Sequence, residues 1–193
     1  MTWSSSVSFV EAIIREVTVD DADDLGAAHV AAWQVGYQGL MPSGFLSRLN
    51  PQTRAEGWRR SIEAGDSLAT TLVAQVGERI AGFSSYGPPR EEVPDGWGEL
   101  WGINVHPDFW RRGIGTALIS AAATGLVRLG YRHAYLWVVR GNERAIAFYR
   151  RQDWRPDGVT KIDDRHDFDP PLVELRCSTA LDRSRGATKP NDE

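Results

Sequence analysis

The segment Arg111-Arg112-Gly113-Ile114-Gly115-Thr116 has the residue types of an anion cradle. It follows a strand-like run, Leu100 to Val105, which Pro107 stops because proline cannot donate to a ladder, and it leads into a helix-like segment from about Thr116. Amides in such a turn and in the first helical positions lack an intrahelical acceptor, and the helix dipole adds partial positive charge at the same place. Phosphate oxygens would satisfy them. Gly113 and Gly115 allow close approach and positive φ, while Arg111 and Arg112 add full charges. The third glycine of a dinucleotide fingerprint is missing, since Leu118 stands there, and no Gly-Lys-Ser/Thr follows as in a Walker loop.

The run Val105-His106-Pro107 through Arg112-Gly113-Ile114-Gly115 resembles motif A of the GCN5-related N-acetyltransferase (GNAT) family, Gln/Arg-x-x-Gly-x-Gly/Ala after a Val-x-Pro strand end. Trp110 replaces the usual Gln or Arg. Asn142-Glu143-Arg144-Ala145-Ile146-Ala147-Phe148-Tyr149 resembles motif B, Asn-x-x-Ala-x-x-Phe-Tyr, although Asp153 stands where that motif continues to glycine. Trp33-Gln34-Val35-Gly36-Tyr37-Gln38-Gly39-Leu40-Met41-Pro42 is similar to a bacterial subgroup carrying Trp-x-x-x-Tyr-x-Gly-Leu-x-Pro. The resemblance covers about residues 12–178. It implies a single-domain α/β (α+β) fold, a mixed, mostly antiparallel sheet with a parallel, splayed central strand pair flanked by helices.

It also implies acetyl-CoA as cosubstrate. Arg111, Arg112, Gly113, Ile114, Gly115 and Thr116 would hold the diphosphate, main-chain groups of Ile103 and Val105 would pair with the pantetheine arm, and Asn142 would contact the cofactor. Gly102 would mark the bulge that starts the splay. Tyr149 would lie against the cofactor and act as general acid, because a departing thiolate needs a proton that a phenol can lend. Glu99, fourteen positions before Gly113, is the candidate base for the amine. Alternation places Glu99, Trp101, Ile103 and Val105 on one face. Plainer roles fit the same residues: Phe148 and Tyr149 as helix packing, Asn142 as a helix cap, Glu99 as a strand-end charge.

The acceptor is expected to be a small-molecule or peptide amine, met by Trp33, Tyr37 and Tyr86, with Glu91, Glu92, Asp95 and the loop Asp163–Asp167 as further candidates. Direct attack in a ternary complex suits a chain with no convincing serine or cysteine nucleophile constellation. The same cradle is compatible with a non-catalytic acyl-CoA-binding sensor, or with another phosphate ligand.

The 41% hydrophobic and 25% charged content is that of a globular chain, and 193 residues suit one domain with a substantial core. A net charge of −4 argues against a generally basic nucleic-acid or membrane surface. The single cysteine, Cys177, excludes an intrachain disulfide and reads as a buried thiol; the four histidines show no metal-ligand spacing. The expectations are no metal, no nucleic acid, no membrane and a cytoplasmic location, with a homodimer left open.

Residues 1–11 read as a flexible leader and 179–193 as a disordered tail around a domain of 12–178. The spacing predicts a strand over Ala12–Val19, a helix from Asp20-Asp21, a helix from Asn50-Pro51 to Gly65 and a hairpin over Leu68–Tyr86. Glu99–Val105, the helix Thr116–Leu129, Tyr131–Val139, the helix Asn142–Arg151 and strands at Trp154–Val159 and Leu172–Cys177 complete the order.

Overall fold

The computed structural model describes residues 11–65, 68–163 and 168–181. The expected leader and tail lie outside the described residues except at their inner ends, as does most of the Asp163–Asp167 loop. Seven runs rich in β-branched and aromatic residues form β1 (Ile13–Glu16), β2 (Thr70–Val76), β3 (Arg79–Gly87), β4 (Trp97–Val105), β5 (His133–Val139), β6 (Arg155–Asp163) and β7 (Leu172–Ala180). They make one sheet in the order β1-β2-β3-β4-β5-β7-β6. Every pairing is antiparallel except β4 with β5. That parallel contact is short: Trp97, Gly98 and Glu99 face His133, Ala134 and Tyr135, and there the pairing ends. A mixed, mostly antiparallel sheet with a splayed parallel pair is the architecture anticipated from the sequence.

The splay coincides with a break in register. Ser85 pairs with Gly102 and Tyr86 with Leu100, so Trp101 is the extra residue of a bulge, one position before the glycine expected to mark it. The bulge inverts the alternation beyond it and corrects the predicted face. Leu100, Ile103 and Val105 share the face packed by α4 (Ile114–Arg128), whereas Glu99, Gly102 and Asn104 point to the other side.

The helices are α1 (Ala22–Gly36), α2 (Ser43–Arg48), α3 (Pro51–Ala64), α4 and α5 (Glu143–Arg151). Local chemistry sets their ends. Asn50 accepts a hydrogen bond from Thr53 N at 3.0 Å and Pro51 opens α3. The short α2 carries no distinctive periodicity and was not anticipated. On one face Leu118, Ile119, Ala122 and Leu126 of α4 cover Leu72, Ala74, Leu100 and Leu136. On the other, Leu25, Trp58 and Ile62 close over Val73, Ile80 and Phe83. β7 enters between β5 and β6 and runs to Ala180, three residues beyond its predicted end, because its last residues continue to pair with Tyr135, Ala134 and His133.

His29 of α1 is wedged among Trp33, Trp58 and Phe83 with neither ring nitrogen hydrogen-bonded. Burial, assisted by Arg54, lowers its pKa to about 3. Folded His29 therefore stays neutral while the unfolded chain takes up a proton below about pH 6.5, so this group withdraws stability as pH falls from about 6.5 to about 3. The expected slope is about 1.4 kcal/mol per pH unit in that window. Denaturant unfolding of the wild type and His29→Phe between pH 7 and 4 should show that difference in slope; parallel curves would remove the assignment.

Candidate active site

The turn between β4 and α4 is built on two left-handed residues, Arg111 at φ 61° and Gly113 at φ 84°. A non-glycine residue held there is strained, and such strain gathers at ligand sites. Among the described residues, no protein acceptor meets the backbone amides of residues 111–116; the first amide past them, Ala117 N, bonds Gly113 O at 3.0 Å. Gly113 caps α4, which starts at Ile114, two residues before the predicted start. Arg111 and Arg112 are exposed on the same turn. A run of unsatisfied donors at a helix N-terminus beside two guanidinium groups fits a diphosphate.

Beyond the last parallel pair the two strands separate, and a cavity of about 90 Å³ opens between them, lined among others by Tyr37, Ile103, Val105, Trp137, Asn142 and Tyr149. The direction of the β4 peptide groups follows from register. His106 N bonds Ala81 O at 2.8 Å, so alternate residues His106 and Asn104 turn their peptide groups toward β3, and Val105 and Ile103 turn theirs into the gap. Trp110 fills its unusual motif position with a specific contact: its indole N–H donates to Val105 O at 2.7 Å. Its ring carries the Arg144 guanidinium at 3.5 Å from the centroid, and Arg144 also lines the gap.

Tyr149 of α5 is buried where it borders this cavity, and burial raises the pKa of its phenol well above the ordinary value, with Tyr37 adding to the shift. Asn142 caps α5, accepting from Ala145 N at 3.2 Å, and lines the same cavity. Asp153, at φ 63°, takes the left-handed turn normally given to glycine. Cys177 lies in the core with its thiol pushed up to about 11 by burial.

Glu99 is only 1% exposed and sits at the last parallel pair, opposite Tyr135. Its carboxylate is already engaged: Arg90 Nε reaches both oxygens at 3.1 Å, Arg90 N donates at 3.0 Å, and Tyr135 Oη donates at 3.0 Å. The Arg90 guanidinium completes the ion pair and covers the Trp101 ring at 4.8 Å. Burial and the adjacent Glu99 charge keep the Tyr135 phenol protonated by raising its pKa. Both oxygens of that carboxylate are therefore spent on Arg90 and Tyr135 within the protein.

Trp33 of α1 and Tyr37 at its C-terminal cap place their rings 5.1 Å apart at a tilted angle, and Tyr37 borders the cavity. Tyr86 does not join them. It packs on the α4 face, where a Cβ added at Gly125 would stand 2.0 Å from its hydroxyl, so it belongs to the core. Glu91 accepts from Trp137 Nε1 at 3.0 Å, whereas Glu92 and Asp95 are not tied into the site. Arg90, Tyr135, Trp137 and Arg144 are not singled out in the sequence: the loop before β4 brings in Arg90, strand register brings in Tyr135 and Trp137, and Arg144 stands at a variable position of the Asn142–Tyr149 run on α5.

A family model described as the acetyltransferase (GNAT) family matches residues 33–154, spanning the cradle, the gap and Tyr149. The chain belongs to this family. This GNAT protein is an acetyl-CoA-dependent N-acetyltransferase. It is 31% identical over 149 residues to an uncharacterized N-acetyltransferase, YuaI, of Bacillus subtilis (strain 168), a match covering 77% of this chain and 82% of that protein. It is 32% identical over 147 residues to a mycothiol acetyltransferase of Clavibacter sepedonicus, covering 76% of this chain but only 43% of that enzyme. The fold matches that of the paia N-acetyltransferase from Thermoplasma acidophilum, solved in complex with coenzyme A, at TM-score 0.63 and 17% identity over 86% of this chain and 98% of that one.

Proposed function

We propose that this GNAT enzyme acetylates a primary amine by direct attack within one ternary complex, with the diphosphate of acetyl-CoA on residues 111–116 and its arm between β4 and β5. The observation that carries this is the gap itself. It runs from Trp110, the neighbour of the open amides of residues 111–116, to a buried phenol, and among the described residues its lining holds no serine, threonine or cysteine that could take the acetyl group first. Ile103 offers its main-chain groups to the arm and Val105 its N–H, the Val105 carbonyl being held by Trp110, and Asn142 lies within the path. Tyr149 hydrogen-bonds the departing sulfur and supplies its proton; the burial that raises its pKa keeps it protonated at every pH at which amines react.

The acceptor approaches from the side of Tyr37, Trp33 and Trp137, and the Trp33–Pro42 segment that resembles a bacterial subgroup forms part of that wall. Glu99 serves this site as a positioning residue. It fixes Arg90 and Tyr135 at the point of divergence, and the amine loses its proton to water. Glu99→Gln is expected to lower turnover about tenfold while the midpoint of the pH–rate profile stays in place, whereas loss of a true base costs about 10²-fold or more and abolishes that limb. The working location consistent with a single buried cysteine is the cytoplasm.

Thiol release from acetyl-CoA across a panel of amines tests the reading. Intersecting initial-rate patterns are expected. Parallel lines would indicate an acetyl-enzyme intermediate, and saturable CoA binding without release for any amine would leave a sensor.

A further inference from the structure

Of the 22 lysines and arginines in the chain only two are lysines, Lys161 and Lys189, and only Lys161 lies among the described residues. Arginine is permanently charged and offers no free amine to a thioester. The chain of an enzyme that acts on amines therefore carries almost no lysine amine of its own, and Lys161 stands beside the site.

Lys161 of β6 pairs with Glu174 of β7, which pairs in turn with Val139 at the open end of β5. Its side chain crosses β7 to place Nζ 4.0 Å from the centroid of the Trp137 ring, 3.7 Å from Glu91 Oε2 and 3.8 Å from Glu174 Oε2. Glu91 is itself fixed by the Trp137 indole, and Trp137 lines the gap between β4 and β5. A primary ammonium is thus held by two carboxylates over an aromatic face, with that ring bordering the reaction space. The Lys161 side chain keeps 38% of its surface exposed, and reaching the gap requires its long stem to leave the two carboxylates and swing around the ring edge.

We propose that Lys161 is an internal acceptor and that the enzyme acetylates it within its own chain. The proposal rests on the reading that the gap holds the thioester of acetyl-CoA. The Lys161 ammonium first gives a proton to solvent beside Glu91. The neutral Nζ then attacks the acetyl carbonyl, a C–N bond forms, the C–S bond breaks, the nitrogen gives up a second proton, and coenzyme A leaves as thiolate and takes up one proton in return. The product is a neutral amide, stable toward free amines, and so a modification rather than an intermediate. It removes a cation that stands beside Glu91 and Glu174 and makes that wall more negative.

Purified full-length protein incubated with acetyl-CoA and no added amine is expected to gain one acetyl group by intact mass, mapped to Lys161, at a fractional rate independent of protein concentration. Lys189 serves as an internal control for purely chemical acetylation. Lys161→Arg is expected to abolish the gain, and Gly113→Val to slow it at least tenfold. An unmodified Lys161, equal modification of both lysines, or incorporation unchanged in Gly113→Val overturns the proposal. A cofactor-free readout is nuclear magnetic resonance of the two lysines: the Trp137 ring should shift Lys161 side-chain signals upfield, and Trp137→Leu should abolish the shift. Unshifted signals in the wild type would remove the geometric basis. If CoA raises the melting temperature and added amines turn over while Lys161 stays unmodified, only this proposal falls; absence of CoA stabilisation would remove the underlying reading as well.

Discussion

Gly113→Val is expected to weaken CoA binding by about ten- to a hundredfold, measured by titration calorimetry, with a smaller loss for Gly113→Ala. The reason is conformational. At φ 84° Gly113 occupies the left-handed region, where a β-branched residue is severely strained, and the surrounding turn must move to relieve it. Such strain is about 1–3 kcal/mol, and each 1.4 kcal/mol is a factor of ten in affinity. Relief comes most readily by rotating the amides of residues 112–115 out of convergence, because no protein acceptor holds them in place. The change therefore falls mainly on the ligand. Loss of the cap also loosens the start of α4, but Leu118, Ile119 and Leu126 keep that helix docked, so the protein should remain folded. Undiminished affinity in a folded Gly113→Val protein would contradict a main-chain cradle.

The cradle was legible because its information is local. A strand stopped by proline, glycines in sequence and a following apolar helix need no distant partner to be interpreted, and the resemblance of Arg112–Gly115 and Asn142–Tyr149 to two motifs placed them in one fold. Helix ends were legible for the same reason, as Asn50, Pro51 and Gly65 show. Features set by register were not. Strict alternation put Glu99 with Ile103 and Val105, but one inserted residue, Trp101, reversed the faces beyond it. The ring that reaches Glu99 belongs to Tyr135 because β5 pairs there in parallel, and the sequence around neither residue announces the other. Likewise, Tyr86 looked like a rim aromatic until Gly125 made room for it beneath α4. Trp110 is the opposite lesson: a departure from a motif found a role of its own, closing onto Val105 O and supporting Arg144.

Tyr149→Phe is expected to lower kcat about 10²-fold with CoA affinity unchanged. The ring, which packs among buried Ile146 and Trp154 in the core shared by α5 and the sheet, is retained, so the deletion removes one hydroxyl and little packing. General acid catalysis contributes about 10²–10⁴-fold, and a phenol whose pKa is held high by burial belongs toward the lower end, since it lends its proton reluctantly and stabilises sulfur largely by hydrogen bonding. The elevated pKa also means that Tyr149 stays protonated through pH 9, so any alkaline fall in rate below that point belongs to another group. The deficit should depend on the leaving group. An acetyl thioester of a more acidic thiol needs less help at sulfur, and the gap between wild type and Tyr149→Phe should narrow as that thiol becomes more acidic. A deficit of constant size across such a series would make Tyr149 a packing residue, and unchanged kcat with chemistry rate-limiting would remove it from the reaction altogether.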